Sequence, residues 1–152
     1  EPLHKLKEDD LATYRANHVG VIFQSFNLLP SMTALENVNL PNEISGKFYD
    51  NKKGAELLKS VGLINRLNHY PHQLSGGEQQ RVAIARSLVS SPEILIADEP
   101  TGNLDKKNSE EVIKLIFKLQ KDFGSTLILV THDLSLANLC DTKIELDNGL
   151  II

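Results

Sequence analysis

The sequence predicts an α/β fold: a parallel sheet with a helical subdomain inserted into it. Three observations carry this. Val19–Phe23, Ile94–Ala97 and Thr126–Val130 are short, unbroken apolar runs, the pattern of strands buried on both faces. A long amphipathic stretch, residues 106–123, separates the last two runs, and strand–helix–strand alternation argues parallel pairing with helices covering both faces. Residues 27–91 hold helical stripes but no strand-like run, which divides the chain into a sheet-forming part (1–26 and 92–152) and a helical part (27–91).

The composition suits one packed domain. The chain has 152 residues, 41% hydrophobic and 24% charged, which excludes general disorder. Sixteen basic and twenty acidic residues give a net charge of −4, so the basic footprint of a nucleic-acid binder is absent. The lone Cys140 excludes an intramolecular disulfide and a cysteine-based zinc finger, and reads as a packing residue. No apolar run approaches the ~18 residues of a membrane span. Glu1 replaces an initiator Met and Leu150-Ile151-Ile152 ends without a polar tail, so both ends are expected to be cut edges.

Taken in order, Glu8-Asp9-Asp10 suit the first turn of a helix near 9–16. Val19–Phe23 is the first strand. Thr33 and Glu36 have capping-box spacing, opening a short helix through Val38. From Asn51 to Val61, Ala55, Leu58 and Val61 form one stripe. Glu78 to Val89 is a helix with Val82, Ala85 and Val89 inward. Ile94–Ala97 is the second strand. Lys106 to Phe123 is a helix with Val112, Ile116 and Leu119 aligned, Ile113 and Phe117 beside them, and Gly124 as its stop. Thr126–Val130 is the third strand, Ser135–Leu139 a short helix. Lys143–Leu146 alternates before Asp147-Asn148-Gly149, a hairpin pattern leading to Leu150-Ile151-Ile152.

Each apolar run stops at polar residues: Gln24, Asp98-Glu99, and Thr131-His132-Asp133. In open α/β sheets, ligands bind outside the carboxyl ends of the strands. If the strands are parallel neighbours, Gln24, Asp98, Glu99 and His132 meet on one rim. An amide, two carboxylates and an imidazole suit a hydrated cation and a phosphate ester: Asp98 for Mg²⁺, Glu99 to polarise a water for in-line attack. Leu74-Ser75-Gly76-Gly77 precedes a helix whose free N–H groups and dipole favour a phosphate, with Ser75 adding a hydroxyl. An ordinary capped helix would have the same residues.

Together these segments closely resemble the ABC-type ATPases over essentially the whole chain. Leu74-Ser75-Gly76-Gly77-Glu78-Gln79-Gln80-Arg81-Val82-Ala83-Ile84-Ala85-Arg86 resembles their signature motif. Ile94–Pro100 resembles their Walker B strand with its glutamate, Thr101-Gly102-Asn103-Leu104-Asp105 their D-loop, Thr131-His132-Asp133 their H-loop, and Phe23-Gln24 their Q-loop. Phe23–Pro30 and Thr101–Asp105 look most like the lipoprotein-releasing, macrolide-exporter and antimicrobial-peptide-exporter branch. The resemblance implies the P-loop NTPase-like fold, with 1–26 and 92–152 as the catalytic core part and 27–91 as the helical subdomain.

It also implies roles. Gln24 contacts Mg²⁺ or the attacking water and reports to a membrane partner. Asp98 holds Mg²⁺, Glu99 is the general base, and His132 contacts the γ-phosphate of ATP. Ser75, Gly76 and Gly77 bind the nucleotide of the opposite subunit, Glu78 stands beside them where many relatives carry Gln, and Asp105 sits at the dimer seam. Implied partners are a second ATPase subunit in a head-to-tail dimer and a transmembrane permease docking near Gln24–Met32, with Phe26, Leu28, Leu29 and Met32 as its surface or as core. The implied location is cytoplasmic, at the inner face of the membrane. A division-type relative, or a non-catalytic half-protein offering only the signature face, has similar motifs.

The phosphate-cradling pattern G-x-x-x-x-G-K-[ST] does not occur in these 152 residues. The only Gly-Lys pair, Gly46-Lys47, is followed by Phe48, with Pro41 where the first glycine belongs. The chain is therefore expected to be incomplete at its N-terminal side, to bind MgATP very weakly and not to hydrolyse it alone, and to leave an open sheet edge and exposed apolar surface that favour oligomers or poor solubility.

Overall fold

The computed structural model describes residues 3–46 and 51–152. Glu1, at the N-terminal edge, and Lys47 and Phe48, the poor match to a phosphate loop, lie outside the described residues.

Helix α1 (Glu8–His18) carries three acidic residues in its first turn and buries none of its side chains. Strand β1 (Val19–Ile22) follows directly. It ends one residue short of the apolar run, because Phe23 turns outward and is 40% exposed. Helix α2 (Ala34–Ile44) starts at the expected capping box: Thr33 Oγ1 accepts the Glu36 N–H at 3.3 Å, and the Glu36 carboxylate accepts the Thr33 N–H at 2.7 Å. The helix runs past Val38 and through Pro41, because Val38, Asn39 and Asn42 continue its buried face. Helix α3 (Asn51–Ser60) buries Gly54, Leu57 and Leu58, while Ala55 is only half-buried, one step round from the expected stripe. Gly54 takes the inner position because a Cβ there would lie 2.3 Å from Asn39 Oδ1.

Helix α4 (Gly76–Leu88) is the central element of the helical layer, packing against α2, α3, β1 and α5 (Lys106–Phe123). Strand β2 (Ile94–Asp98) pairs in parallel with β1 and with β3 (Thr126–Val130), in the order β1-β2-β3. Helix α5 has the expected bounds and stripe, closed by Gly124 at φ 66°. A single core links Ile22, Val38, Leu58, Ile84, Leu95 and Ile116 across these elements.

The expectation of full burial fails at β3. It alternates exposed and half-buried residues, with Ile128 47% and Val130 48% exposed. β3 and β1 are the two edges of this sheet among the described residues, but β1 is covered by α4 and α1, whereas β3 has α5 against it more sparsely. Helix α6 (Leu134–Ala137) is capped by Asp133 and starts one residue early. The hairpin forms with shorter strands, β4 (Leu146–Asp147) and β5 (Leu150–Ile151), around Asn148 and Gly149 at φ 50° and 81°. Cys140 is half-buried. Among the described residues, no helix is long and apolar enough to cross a membrane.

Candidate functional site at the strand ends

The parallel register brings the three strand ends to one rim. Ile22 lies beside Ala97 and Asp98 beside Val130, so Gln24, Asp98, Glu99 and His132 all leave the sheet at the same edge. Glu99 is the centre. Its N–H continues the sheet by donating to Val130 O at 2.9 Å, after which the backbone swings to φ 43°. A non-glycine residue occupies that region only when its surroundings hold it there. The carboxylate turns toward β3: Oε1 accepts the His132 N–H at 2.8 Å and lies 2.7 Å from His132 Nδ1, and Oε2 accepts Thr131 Oγ1 at 3.4 Å. Glu99 is largely covered, whereas the His132 ring is 86% exposed. Nδ1 therefore faces Glu99, and Nε2 is left for a ligand. A cleft of about 710 Å³ opens beside this pair, between the start of α5 and α6, with Glu99, Gly102, Leu104 and His132 in its wall.

Gln24 meets the segment after Glu99. Its Nε2 donates to Asn103 Oδ1 at 3.4 Å, and Asn103 Nδ2 donates to Gln24 O at 3.0 Å. Gly102 makes this possible, since a Cβ there would lie 2.5 Å from Gln24 Nε2. The amide thus rests on Asn103, and Asp98 stands exposed at the end of β2 with no side-chain bond among the described residues. No group of three His, Cys, Asp or Glu side chains among the described residues could hold a metal. One free carboxylate fits a Mg²⁺ ion that brings waters and phosphate oxygens as its other ligands.

The Ser75–Gly77 segment forms the start of α4. Ser75 is the N-cap: its Oγ accepts the Glu78 N–H at 3.3 Å, which leaves the hydroxyl proton to donate elsewhere. Gly76 is exposed and Gly77 buried. Gly77 lets α4 approach α5, because a Cβ would sit 2.8 Å from Asn108 Oδ1. Glu78 does not face outward with Ser75 and Gly76. Its carboxylate accepts the Ser75 N–H at 2.8 Å and pairs with Arg66 Nε at 3.2 Å. These bonds, the Ser75 N–H first, hold its carboxyl below the usual glutamate range. Asp105 is the N-cap of α5, and the Asn108 N–H bonded to it lowers its carboxyl likewise.

Among the apolar candidates, Leu28 packs against the core whereas Leu29 is 41% exposed. Asn37, fully buried, braces the loop between them and α2: its side chain accepts the Leu29 N–H at 2.8 Å and donates to the carbonyls of Leu29, Met32 and Thr33. Sequence reasoning also missed Asn103, Gln80 and Arg86. Arg86 donates to the carbonyls of Asn27 at 2.6 Å and Phe26 at 2.7 Å, two residues at positive φ. A charged residue in the apolar series Val82–Leu88 was the available sign; burial there lowers its pKa.

A parallel sheet with acid, imidazole and amide groups at its strand ends, packed against a helix that starts at Ser-Gly-Gly, defines an α/β protein with its polar groups gathered on one rim. Comparison with known proteins makes this specific. A model of the ABC transporter family matches residues 3–102, and the chain belongs to that family. It is 51% identical over 151 residues to the ABC transporter ATP-binding protein YbbA of Escherichia coli K12, covering 98% of this chain and 66% of YbbA. It is 48% identical over 157 residues to the lipoprotein-releasing system ATP-binding protein LolD of Cytophaga hutchinsonii, covering 100% of this chain and 70% of LolD. The dimeric, post-hydrolysis structure of the ATP-binding cassette MJ0796 bound to ADP and Pi superposes with a TM-score of 0.83 at 42% identity, covering 97% of this chain and 66% of that one. The chain thus spans just under two thirds of the length of YbbA and of that cassette.

Proposed function

We propose that this chain is the larger part of the ATP-hydrolysing subunit of an ABC transporter, of the lipoprotein-release or exporter branch. The observation that carries the reading is the Glu99–His132 pair at the ends of two parallel strands, with Asp98 exposed beside it. Asp98 would hold Mg²⁺, with Gln24 beside it on the same rim, and the ion would supply charge neutralisation on the phosphates. Glu99 takes the proton of the attacking water. His132 fixes the Glu99 carboxylate through Nδ1 and its backbone N–H, and meets the γ-phosphate through Nε2.

Ser75, Gly76 and Gly77 face the nucleotide of a second, head-to-tail subunit, with Glu78 holding their helix end by its capping box, and Asp105 lies at the seam. Residues 1–26 and 92–152 act as the catalytic core and 27–91 as the helical subdomain. Leu29 and Met32, on the loop that Asn37 braces, receive a membrane permease, which places the subunit at the cytoplasmic face of the membrane. The LolD similarity supports the branch.

The test is ATP turnover by the full-length subunit with its permease. Turnover should fall about 100- to 10,000-fold in Glu99→Gln. The 152 residues alone, without a phosphate loop, should show none. Unchanged turnover in Glu99→Gln would remove the reading; turnover by the 152-residue chain would remove only the expectation that the chain is inactive alone.

A further inference from the structure

Gln80 lies on the inner side of α4 and is fully buried. Its Nε2 donates a 2.6 Å hydrogen bond to the carbonyl of Pro100. The carbonyl only accepts, so the amide NH₂ must face it. The other end, Oε1, is buried with no hydrogen-bond partner among the described residues. A buried, unpartnered amide oxygen works against the folded state. An apolar side chain of similar size would remove that orphan while leaving another at Pro100. Folding stability alone therefore gives no reason for glutamine here.

The group that Gln80 holds gives the reason. Pro100 directly follows Glu99 in a tight turn, closed by the Gly102 N–H donating to Glu99 O at 3.0 Å. Glu99 sits at φ 43°, so its backbone needs holding from outside. Val130 O holds it on the strand side. Gln80 holds the turn on the helix side, and it does so from the helix that begins at Ser75–Gly77.

We propose that Gln80 is a positioning residue for Glu99. It ties the Glu99 turn to the helix whose first turn faces the partner subunit's nucleotide, so that the placement of that helix is felt at the Glu99 turn. Gln80 touches neither nucleotide nor the attacking water. The proposal rests on the ATPase reading above.

The experiment uses the full-length subunit assembled with its permease. Gln80→Leu and Gln80→Met each remove the donor at similar volume. Both should lower kcat at least tenfold, leave KM for ATP within about twofold, and leave the thermal midpoint within a few degrees. Unchanged kcat overturns the proposal, and so does a loss of kcat that follows a lowered thermal midpoint. If Gln80→Leu does not fold, Gln80→Met is read alone. Amide exchange separates this inference from the reading it rests on. Exchange at Gly102 should quicken at least tenfold in the variants while the α5 amides hold. Unaltered exchange at Gly102 overturns the Gln80 proposal even if the wild type hydrolyses ATP. Wild type without turnover, but with quickened Gly102 exchange in the variants, overturns the ATPase reading and with it the coupling to a partner's nucleotide.

Discussion

Helix α4 packs on the sheet of which strand β3 is one edge, yet the two live in different surroundings. Eight of the thirteen residues of α4 are buried, Val82 to Ala85 in an unbroken run, and its polar side chains reach out as struts to Pro100, Phe26 and Asn27. No residue of β3 is buried, although its Leu-Ile-Leu-Val core is as apolar as anything in α4. The difference teaches that the site stands on a rigid support and a soft one. Ser75–Gly77 and the Glu99 turn rest on α4, while His132 hangs from the end of β3.

Four substitutions break or sharpen that contrast. The largest effect is expected from Ile84→Ala in α4, which should cost about 2–5 kcal/mol by denaturant unfolding, because the densely packed helix cannot collapse into the space. Ser75→Ala removes the cap of the same helix and should cost about 1 kcal/mol by the same measurement.

Glu78→Gln keeps the capping box but loses the Arg66 pair, worth about 0.5 kcal/mol at neutral pH after solvent screening. Its carboxyl is held below the ordinary value of 4.5, so its stabilisation is complete above that value and is lost as pH falls through the lower folded-state value. The gap between wild type and variant in a pH series of urea melts should therefore close toward acid. Ile128→Ser on β3 should change stability by no more than about 0.5 kcal/mol. A loss there equal to that of Ile84→Ala would erase the contrast.

The same contrast explains what the sequence could and could not reveal. Helix α5 was legible to the residue, since its stripe of Val112, Ile116 and Leu119 and its stop at Gly124 are local features. So was the gathering of polar groups at the strand ends, because it needs only parallel pairing. Exposed apolar surface at an open sheet edge was legible in general, but its placement at Ile128 and Val130 was not, because an apolar run reads the same whether or not something lies beside it. Gln24 could be picked out but its partner could not: Asn103 lies 79 positions away. Glu78 is the opposite case. Ser75 and Glu78 have the same box spacing as Thr33 and Glu36, so its turn back toward Ser75 was open to reading from the sequence.

The strand order has a consequence in time as well as in space. The contact between His18 and Glu93, at the head of the β1–β2 pair, closes a loop of 75 positions, whereas the bond between Ser125 and Pro92, at the head of β2–β3, closes one of 33. Longer loops cost more entropy to close, and non-local pairings form late. The chain should therefore assemble β2, α5 and β3 as a nucleus. The segment carrying Gln24 is then the last part of the rim to arrive, and it docks onto a Glu99 turn already in place.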